Sequence, residues 1–584
     1  MKNTINCLPA CMRLILVTLK SSFIVLLVFA FSLTYISATG QLAKDTAYIQ
    51  VQLDKKLNGP LKPFWAFWGY DEPNYTYMKD GRKLLSEFAE LSPVPVYVRV
   101  HNLLTTGHGE PSLKWGSTNA YTEDANGKPV YSWTIIDSIF DTFIKRGMHP
   151  IAQIGFMPEA LSIKPESDKF QETPDHKKVY HYTGWSYPPS SYEKFAGLVF
   201  EWVKHSVARY GIKEVEQWYW EVWNEPDISY WKGSTEEYIK LYDYSADAVK
   251  RALPTAKIGG PETTNPGSAS AALFLKTFLT HIVSGKNYLS GKIGTPLDFI
   301  TFHAKGDPKL VNGVVRMDIG KQLRHIDKGF EIVASYPALK KLPIIIGESD
   351  PEGCAACSED VYPQNAYRNG TMYSSYTAAS FARKYDLAQK HGVNLRGAVT
   401  WAFEFEDQPW FRGFRDMATN GVDKPVLNVF RMFGMMEGDR VYVNENLAYN
   451  YKQVCDSGVR GNQPDVNALA AKSDHAATVM IWNYHDDNKL DMPSSPVSLK
   501  LKGLVAKKLL LTHYRIDQEH SNAYTAWKKM GSPKNPDEQQ FAILEKAGQL
   551  EMLQSPVWIP SINGEVHLNI DLPRQGVSLL RFTW

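Results

Sequence analysis

The sequence predicts an α/β protein in which a (β/α)8 TIM barrel is followed by an accessory C-terminal β-sandwich. Short apolar runs alternate with amphipathic helical segments from about residue 61 to residue 435, and this alternation is typical of a parallel barrel. Two of the apolar runs stop abruptly at a glutamate, Glu225 and Glu348, and parallel barrels carry their active sites at the carboxyl ends of strands. Beyond about residue 470, short strands alternate with Pro, Gly, Asn and Asp, which favours a sandwich.

Residues 1–40 have the layout of a secretory signal peptide. Lys2, Arg13 and Lys20 precede an apolar run over residues 23–31, and the small residues 37–40 follow it. We therefore expect cleavage near residues 38–40, export to the periplasm or the exterior, and no membrane association afterwards. An uncleaved membrane anchor is the alternative, because the apolar run is long.

The composition favours a large soluble protein with a substantial core. Of the 584 residues, 44% are hydrophobic, and the net charge of +2 provides no basic field for nucleic acid. The 16 tryptophans are common in carbohydrate-binding proteins, but they also fill large cores. No pattern in the sequence identifies an interface, so a homo-oligomer remains possible.

The barrel is predicted to contain residues 61–435. Its predicted strands cover residues 64–68, 94–100, 151–154, 218–223, 257–260, 299–302, 344–346 and 397–401. Helices are predicted over residues 84–91 and 190–210, and a third is predicted to have Thr134 as its cap. Ser234 and Glu237 form the pattern of a capping box at the start of a fourth helix.

The sandwich is predicted to contain residues 436–584. Its predicted strands cover residues 477–482, 497–501, 508–513, 566–570 and 577–582. The segment 41–60 precedes the barrel and contains an alternating run at residues 46–53. We expect that run to be a strand that joins the sandwich.

The strand that ends at Trp223-Asn224-Glu225-Pro226 suggests a chemical function. Pro226 cannot donate to a strand ladder, so the strand must stop there and hold Glu225 at its tip. A carboxyl group, an amide that can hold a sugar 2-OH, and indole rings for stacking are the groups that a glycosidase needs. Apolar surroundings are expected to raise the pKa of the acid. The alternative is a strand-end glutamate that caps the next helix.

A second carboxylate is supplied by Glu348, at the end of the apolar run 342–346. The two glutamates are separated by 348 − 225 = 123 residues, which is room for about three strand–helix units of a barrel. Glycosidic bond cleavage requires two carboxyl groups flanking the anomeric carbon.

Trp-Asn-Glu-Pro followed by a strand-end glutamate resembles the retaining glycosidases that carry catalytic glutamates on barrel strands four and seven. Within that group, the sequence resembles glycoside hydrolase family 39, which contains β-xylosidases and α-L-iduronidases. Further segments that fit the resemblance are residues 98–102, 155–161, 259–261, 302–306 and 423–425. The resemblance implies that Glu225 is the acid/base and Glu348 the nucleophile, with an oligosaccharide as substrate and no cofactor.

Other residues at the strand ends are candidates for substrate binding beside Asn224. His101 and His303 follow strands two and six, where sugar hydroxyls would lie, although each can also be a structural histidine. Trp401 ends strand eight and is expected to stack under the sugar ring. Glu404 follows it, in an acidic loop of which a part is expected to be merely solvated.

Lys305 bears on the identity of the sugar. A β-D-xyloside and an α-L-iduronide share their C1–C4 stereochemistry and differ by a carboxylate on C5, so a cation near C5 would favour the uronide. His303-Ala304-Lys305-Gly306 resembles the segment that supplies such a lysine in iduronidases, but the arginine that precedes that lysine is Ala304 here. Lys305 can instead pair with a carboxylate of the site.

Cys354 and Cys357 are expected to form a disulfide that fixes the loop after the nucleophile strand, because the protein is expected to be exported. Cys455 is then unpaired, and we predict no metal site, because there is no second Cys-x-x-Cys pair.

The sequence thus predicts an exo-acting retaining β-xylosidase that releases xylose from plant or algal oligosaccharides by double displacement. The alternatives are an exo-glycosidase for uronides or arabinosides, an endo-acting glycanase, and a catalytically inactive carbohydrate-binding protein. The presence of both glutamates and of Asn224 argues against the inactive protein.

Overall fold

The computed structural model describes residues 46–165 and 184–584, with the backbone of two short strands, Phe170–Gln171 and Val179–Tyr180, between them. The predicted signal peptide lies outside these residues. The described chain contains a nearly closed parallel sheet and a second, mostly antiparallel sheet. The predicted fold class is therefore confirmed, while the domain boundaries at residues 60 and 435 stay predictions.

Eight strands form the barrel. They are Phe67–Tyr70, Tyr97–Val100, His149–Ile154, Tyr219–Val222, Lys257–Thr263, Phe299–Phe302, Pro343–Ile346, and an eighth in two segments, Asn394–Ala398 and Thr400–Trp401. The first segment of the eighth strand pairs with strand seven and the second pairs with strand one, both in parallel, so the sheet closes. The carboxyl ends of all eight strands therefore lie at one rim.

Helices connect the strands. They are Lys79–Leu91, Thr134–Ile144, Tyr192–Tyr210, Ile212–Val215, Thr235–Ala252, Ala269–Ser284, Ile319–Ala334, Thr371–His391 and Pro425–Gly434. The predicted capping box of Ser234 and Glu237 is present. The prediction that Thr134 caps its helix is wrong, because Trp133 is the cap residue and Thr134 is already helical. In the part of the chain described here, no helix is long and apolar enough to cross a membrane.

Strand one begins later than predicted. The prediction places it at residues 64–68, but the strand is Phe67–Tyr70. The amide of Phe64 donates to the Lys62 carbonyl and that of Ala66 to the Pro63 carbonyl, which closes a tight turn before the strand. The proline fixes its own φ and so favours the turn over an earlier strand.

The second sheet is sandwich-like and includes the strand Ala47–Pro60, which pairs in parallel with Ser495–Lys502. Its other strands are Asp439–Glu445, Asp465–Lys472, Ala476–Tyr484, Lys508–Ile516, Glu551–Pro560, Glu565–Leu572 and Val577–Thr583. Three helices accompany it, Tyr451–Ser457, Ala523–Lys529 and Glu538–Gly548.

Short elements complete the barrel loops. They are the hairpins Tyr121–Glu123 with Pro129–Tyr131, Lys309–Val311 with Val314–Arg316 and Ala418–Thr419 with Val422–Asp423, and the 3₁₀ helices Pro73–Tyr75, Glu159–Leu161 and Pro363–Arg368.

Successive side chains of a strand point to opposite faces, so residues two positions apart share a face, and the side chains inside the barrel form layers. One layer is a cluster of buried apolar side chains: Phe67, Tyr97, Ile151, Tyr219, Phe299, Ile345, Val399 and Trp401. Two residues further along strands two and four, Arg99 and Glu221 are fully buried and meet each other. A charged layer therefore lies above an apolar plug, at the rim where the strands end.

We predict that Lys384→Met stabilises the protein. The Lys384 ammonium lies 3.7 Å from the ring centre of Phe381, and among the described residues it has no hydrogen-bond partner. Burial lowers the pKa of Lys384 to about 7, against the attraction of Asp350. The variant is expected to gain on the order of 3–5 kcal/mol of unfolding free energy at pH 7, measured in urea.

The pH dependence tests the cause. Between pH 7 and about 10.5 the unfolded chain binds a proton at Lys384 that the folded chain does not, so the wild type gains stability as the pH rises. The advantage of the methionine variant should therefore shrink above pH 7 and stay constant below it. Lys390→Met on the same helix is the control, because Lys390 is half exposed and paired with Asp327. Equal effects of the two substitutions would contradict the prediction.

Candidate active site

Strand four delivers Asn224 and Glu225 to the rim through a strained turn. After Tyr219–Val222, the backbone enters the left-handed region at Trp223 (φ 70°) and again at Glu225 (φ 46°). The Glu225 amide donates to the Glu262 carbonyl at 2.9 Å, which ties this turn to the end of strand five. Non-glycine residues hold such conformations only where the surroundings enforce them, and these positions cluster at functional sites.

Glu348 follows strand seven after a glycine that the packing requires. A Cβ at Gly347 would collide with the Glu262 carboxylate, so no larger residue fits beneath Glu348. The Glu348 side chain is 6% exposed and that of Glu225 is 17% exposed. Glu225 is thus the more accessible of the two carboxylates.

His303 lies between the two glutamates. Its Nδ1 makes a 2.9 Å hydrogen bond with Glu225 Oε1, and its Nε2 lies 3.8 Å from Glu348 Oε1 and 2.7 Å from Glu262 Oε2. Burial lowers the pKa of His303, but the charges of Glu348 and Glu262 together raise it to about 9. The imidazole is therefore protonated at neutral pH, and the two candidate catalytic carboxylates flank one cation.

Lys305 pairs directly with the candidate nucleophile. Its ammonium donates to Glu348 Oε2 and lies 3.6 Å from Asp350 Oδ2. Burial alone would raise the pKa of Glu348, but the charges of Lys305 and His303 hold it well below its usual range. Glu348 is consequently ionised, as a carboxylate nucleophile must be.

Arg99 organises the base of the site. Its guanidinium contacts Glu221 Oε2 at 2.5 Å and Glu348 Oε1 at 3.4 Å, and it donates to Asn224 Oδ1 at 3.0 Å. Burial raises the pKa of Glu221 well above its ordinary value. Burial acts in the same direction on Glu262, but Arg99 and His303 lower the pKa of Glu262 to about 2. One of these two glutamates is therefore protonated and the other ionised.

His101 and Trp401 form the opposite wall with Asp71. His101 Nε2 accepts from Arg99 at 3.0 Å, and its Nδ1 lies 3.0 Å from Asp71. Burial and the charge of Arg99 lower the pKa of His101, so the ring is neutral and its proton faces Asp71. The Trp401 indole donates to Asp71 at 3.3 Å, and its ring centre lies 4.4 Å from that of His101.

Seven of the eight predicted site residues meet at this rim. They are His101, Asn224, Glu225, His303, Lys305, Glu348 and Trp401. Glu404 has a separate set of neighbours. It is buried, accepts from the Gly421 amide at 2.5 Å, and burial raises its pKa well above the ordinary value, with further contributions from Asp80 and Asp416.

Sequence reasoning missed four acidic residues of the site: Asp71, Glu221, Glu262 and Asp350. Glu221 lies two residues after the inward-facing Tyr219, so the strand period could have placed it in the barrel. Glu262 lies two residues after the predicted strand five, which covers residues 257–260. Asp71 and Asp350 carry no signal of their own, because only the fold brings them to the site.

The loop after Glu348 is fixed by covalent and polar links. A disulfide joins Cys354 to Cys357, and Cys455 remains a free thiol. Arg368 is buried and donates to four carbonyls of the surrounding loops, among them those of Ala355 and Cys357. In residues 46–165 and 184–584, no group of three or more His, Cys, Asp or Glu side chains could hold a metal ion.

The chain is similar in sequence to known proteins. The profile of the glycosyl hydrolases of family 39 matches residues 48–559. The chain is 26% identical to a β-xylosidase of Caldicellulosiruptor saccharolyticus, over 91% of this chain and 97% of that protein. It is 23% identical to the mouse (Mus musculus) α-L-iduronidase, over 90% of this chain and 78% of that protein.

Solved structures share the fold. A monomeric β-xylosidase of Caulobacter crescentus superimposes with a TM-score of 0.67 at 20% identity, covering 92% of this chain and 99% of that one. An enzyme of the same family from Xanthomonas axonopodis pv. citri gives a TM-score of 0.68 at 20% identity, covering 92% and 97% of the two chains.

Proposed function

The protein belongs to glycosyl hydrolase family 39, and from that premise we propose that it is a retaining exo-glycosidase of the β-xylosidase type. Its substrates are plant or algal oligosaccharides from which it releases xylose. The observation that carries the proposal is the placement of Glu225 and Glu348 on either side of the His303 imidazolium, at the ends of strands four and seven.

The surroundings of the two glutamates support different roles. Glu348 is ionised, and as nucleophile it attacks the anomeric carbon while the bond to the leaving oxygen breaks. Glu225, the more exposed carboxyl, gives its proton to that oxygen. Water then attacks the glycosyl ester, Glu225 takes the proton of the water, and Glu348 is released as carboxylate. Two inversions give net retention, which requires carboxyls about 5–5.5 Å apart.

Asn224 supports the binding of the sugar ring. Because its Oδ1 accepts from Arg99, its amide N–H group is the part that a sugar 2-OH can use as donor. Such a contact strengthens in the transition state. Trp401 supplies an indole beside the neutral His101 ring.

The pairing of Lys305 favours a neutral sugar. The Lys305 ammonium already contacts two carboxylates, those of Glu348 and Asp350. A C5 carboxylate that used Lys305 would be a third anion around one ammonium in a desolvated site, which is costly. A xyloside adds no charge at all.

A second candidate is an exo-glycosidase for α-L-iduronides, and the burial of Lys305 beside the nucleophile favours it. A uronide carboxylate could draw the ammonium from Asp350, whose Oδ2 lies 3.6 Å away. The 23% identical α-L-iduronidase is consistent with this candidate at the level of the family.

The test compares hydrolysis of an aryl β-D-xyloside with that of an aryl α-L-iduronide. We expect turnover of the xyloside, release of β-xylose as the first anomer by NMR, and xylose as the first product from xylotetraose. Cleavage of the iduronide alone would establish the second candidate. Release of α-xylose would contradict retention, and xylobiose as the first product would indicate an endo-acting enzyme.

A further inference from the structure

A cleft opens on the face of the barrel where the strands end, outside the site described above. It has a volume of about 870 Å³ and lies between the loops after strands seven and eight and the chain that joins the helices Ala523–Lys529 and Glu538–Gly548. Among the groups that line it are Asp407, Trp410, Asn420, Trp527 and Lys534.

The cleft is connected to the candidate catalytic residues through its loops. The strand-seven loop runs from Glu348 to the lining residue Glu359, whose amide donates to the Arg412 carbonyl at 3.0 Å. Arg415 joins the same two loops nearer the site, since it donates to the Trp401 carbonyl at 2.7 Å and contacts Asp350 at 3.6 Å. A ligand that occupies the cleft therefore lies on the rim from which the catalytic carboxylates project.

The aromatic walls of the cleft are rigid. Trp527 is half-buried, stacks on Tyr524 with ring centres 6.0 Å apart, and packs against Phe411 at 5.2 Å. Its indole donates to the Pro533 carbonyl at 3.0 Å. Trp410 is also half-buried and is supported by Phe541 at 6.2 Å. Both indoles are thus partly exposed and are packed against neighbouring aromatic rings.

The polar lining is mixed in charge. Glu359, Asp360 and Asp407 are opposed by Arg412 and Lys534, and Asp360 pairs with Arg412 at 3.2 Å. Amide groups add neutral donors and acceptors. Two partly exposed indoles with carboxylate and amide groups around them suit the apolar faces and the hydroxyls of a sugar ring. A lining without a net positive field does not suit sulfated or phosphorylated ligands.

We propose that this cleft is a distal subsite that binds a neutral sugar unit of the same glycan whose terminal residue enters the active site. The proposal rests on the proposed function and extends it to the part of the substrate away from the cleaved bond. Trp410 is the specificity-determining residue, because it stands at the barrel side of the cleft. It touches none of the reacting atoms.

The test compares Trp410→Ala, Trp410→Phe and Trp558→Ala with the full-length wild type. Trp558 is the matched control, a 54% exposed indole on the strand Glu551–Pro560 that does not line the cleft. We expect Trp410→Ala to raise KM for xylotetraose by roughly 10-fold, as the loss of one aromatic contact would. KM and kcat for the aryl β-D-xyloside should not change, and Trp410→Phe should recover most of the loss.

Direct binding separates this proposal from the function on which it rests. In Glu225→Gln protein, calorimetry with xylotetraose should show the same roughly 10-fold loss on Trp410→Ala. If Trp410→Ala, Trp558→Ala and wild type had the same KM and the same affinity for xylotetraose, the proposed subsite would be wrong. A parallel loss with the aryl xyloside would also overturn it, because Trp410 would then act through the catalytic loops. Failure of wild type to cleave any xyloside, with binding of xylotetraose still dependent on Trp410, would contradict the proposed function alone.

Discussion

Glu348→Ala is expected to lower kcat for an aryl β-D-xyloside by about 10⁴-fold or more, because it removes the attacking group itself. Glu348 is held ionised by Lys305 and His303, so the wild type pays no cost to deprotonate it. Added azide can take the place of the missing carboxylate in the cavity of the variant. We therefore expect recovery of turnover with azide, and α-xylosyl azide as the product seen by NMR.

Glu225→Ala separates the two carboxylates in the same assay. Loss of a general acid typically costs 10²–10⁴-fold, and the loss should be largest for poor leaving groups that need the proton. With an activated aryl xyloside, azide should give the β-xylosyl azide, because it then intercepts the glycosyl ester on Glu348. If Glu225→Ala gave the α-xylosyl azide and Glu348→Ala gave the β-xylosyl azide, the roles assigned to the two glutamates would be reversed.

Glu404→Gln is the matched control for both variants. Glu404 is also buried and also follows a barrel strand, but its neighbours are Gly421 and Asp80 in place of the catalytic cluster. We expect activity within about threefold of wild type, because a buried neutral carboxyl and an amide are similar in shape. Full activity of Glu348→Ala would refute the mechanism, whatever the control shows.

The barrel follows from local patterns in the sequence. The apolar run 299–302 predicts a strand and the structure has Phe299–Phe302, because β-branched and aromatic residues bounded by turns have few alternatives. Strand one is displaced for a reason that the pattern could not show, since Phe64 and Trp65 are as apolar as the strand that follows them. Only the turn around Pro63 moves its start.

The candidate site is less predictable than the barrel. Residues at strand tips, such as Glu225 and Glu348, follow from the rule that parallel barrels keep their chemistry there. Charged residues inside the barrel do not follow from this rule, because in the sequence a buried charge looks like an interruption of an apolar run. Glu221 stands between Trp220 and Val222, where the strand period can place it inside the barrel, but only its contact with Arg99 shows how an acidic side chain is accommodated there. Glu404 shows the opposite case: it follows a barrel strand, but packing directs its carboxyl group away from the candidate site.

The helices Ala523–Lys529 and Glu538–Gly548 were not predicted, although Asp537 forms a capping box with Gln540. Their apolar residues face a small separate cluster with Phe411, so they lack a long amphipathic pattern of their own. Their fold depends on the barrel loop against which they pack. That dependence also places Trp527 in the cleft beside the active site.

Arg99→Met is expected to lower the free energy of unfolding by about 3–5 kcal/mol, because it removes a buried cation that three buried acidic side chains share. Arg99 contacts Glu221, Glu262 and Glu348, and all three of these side chains are buried. Arg396→Met is the control, since Arg396 lies over the rings of Phe67 and Tyr97 and should cost about 1 kcal/mol.

Arg99→Lys then distinguishes charge from geometry. A lysine restores one positive charge but cannot donate at once to Glu221 and Asn224 through a planar fork. We expect it to recover part of the stability in urea unfolding and little of the activity, because Asn224 would lose the contact that orients its amide. Recovery of both would mean that the charge of Arg99 suffices and that its hydrogen bonds do not position Asn224. If the unfolding free energies of Arg99→Met and wild type differ by less than about 1 kcal/mol, the acidic residues must be protonated when Arg99 is absent. The ion pairs at the base of the barrel would then contribute nothing to the stability of the fold.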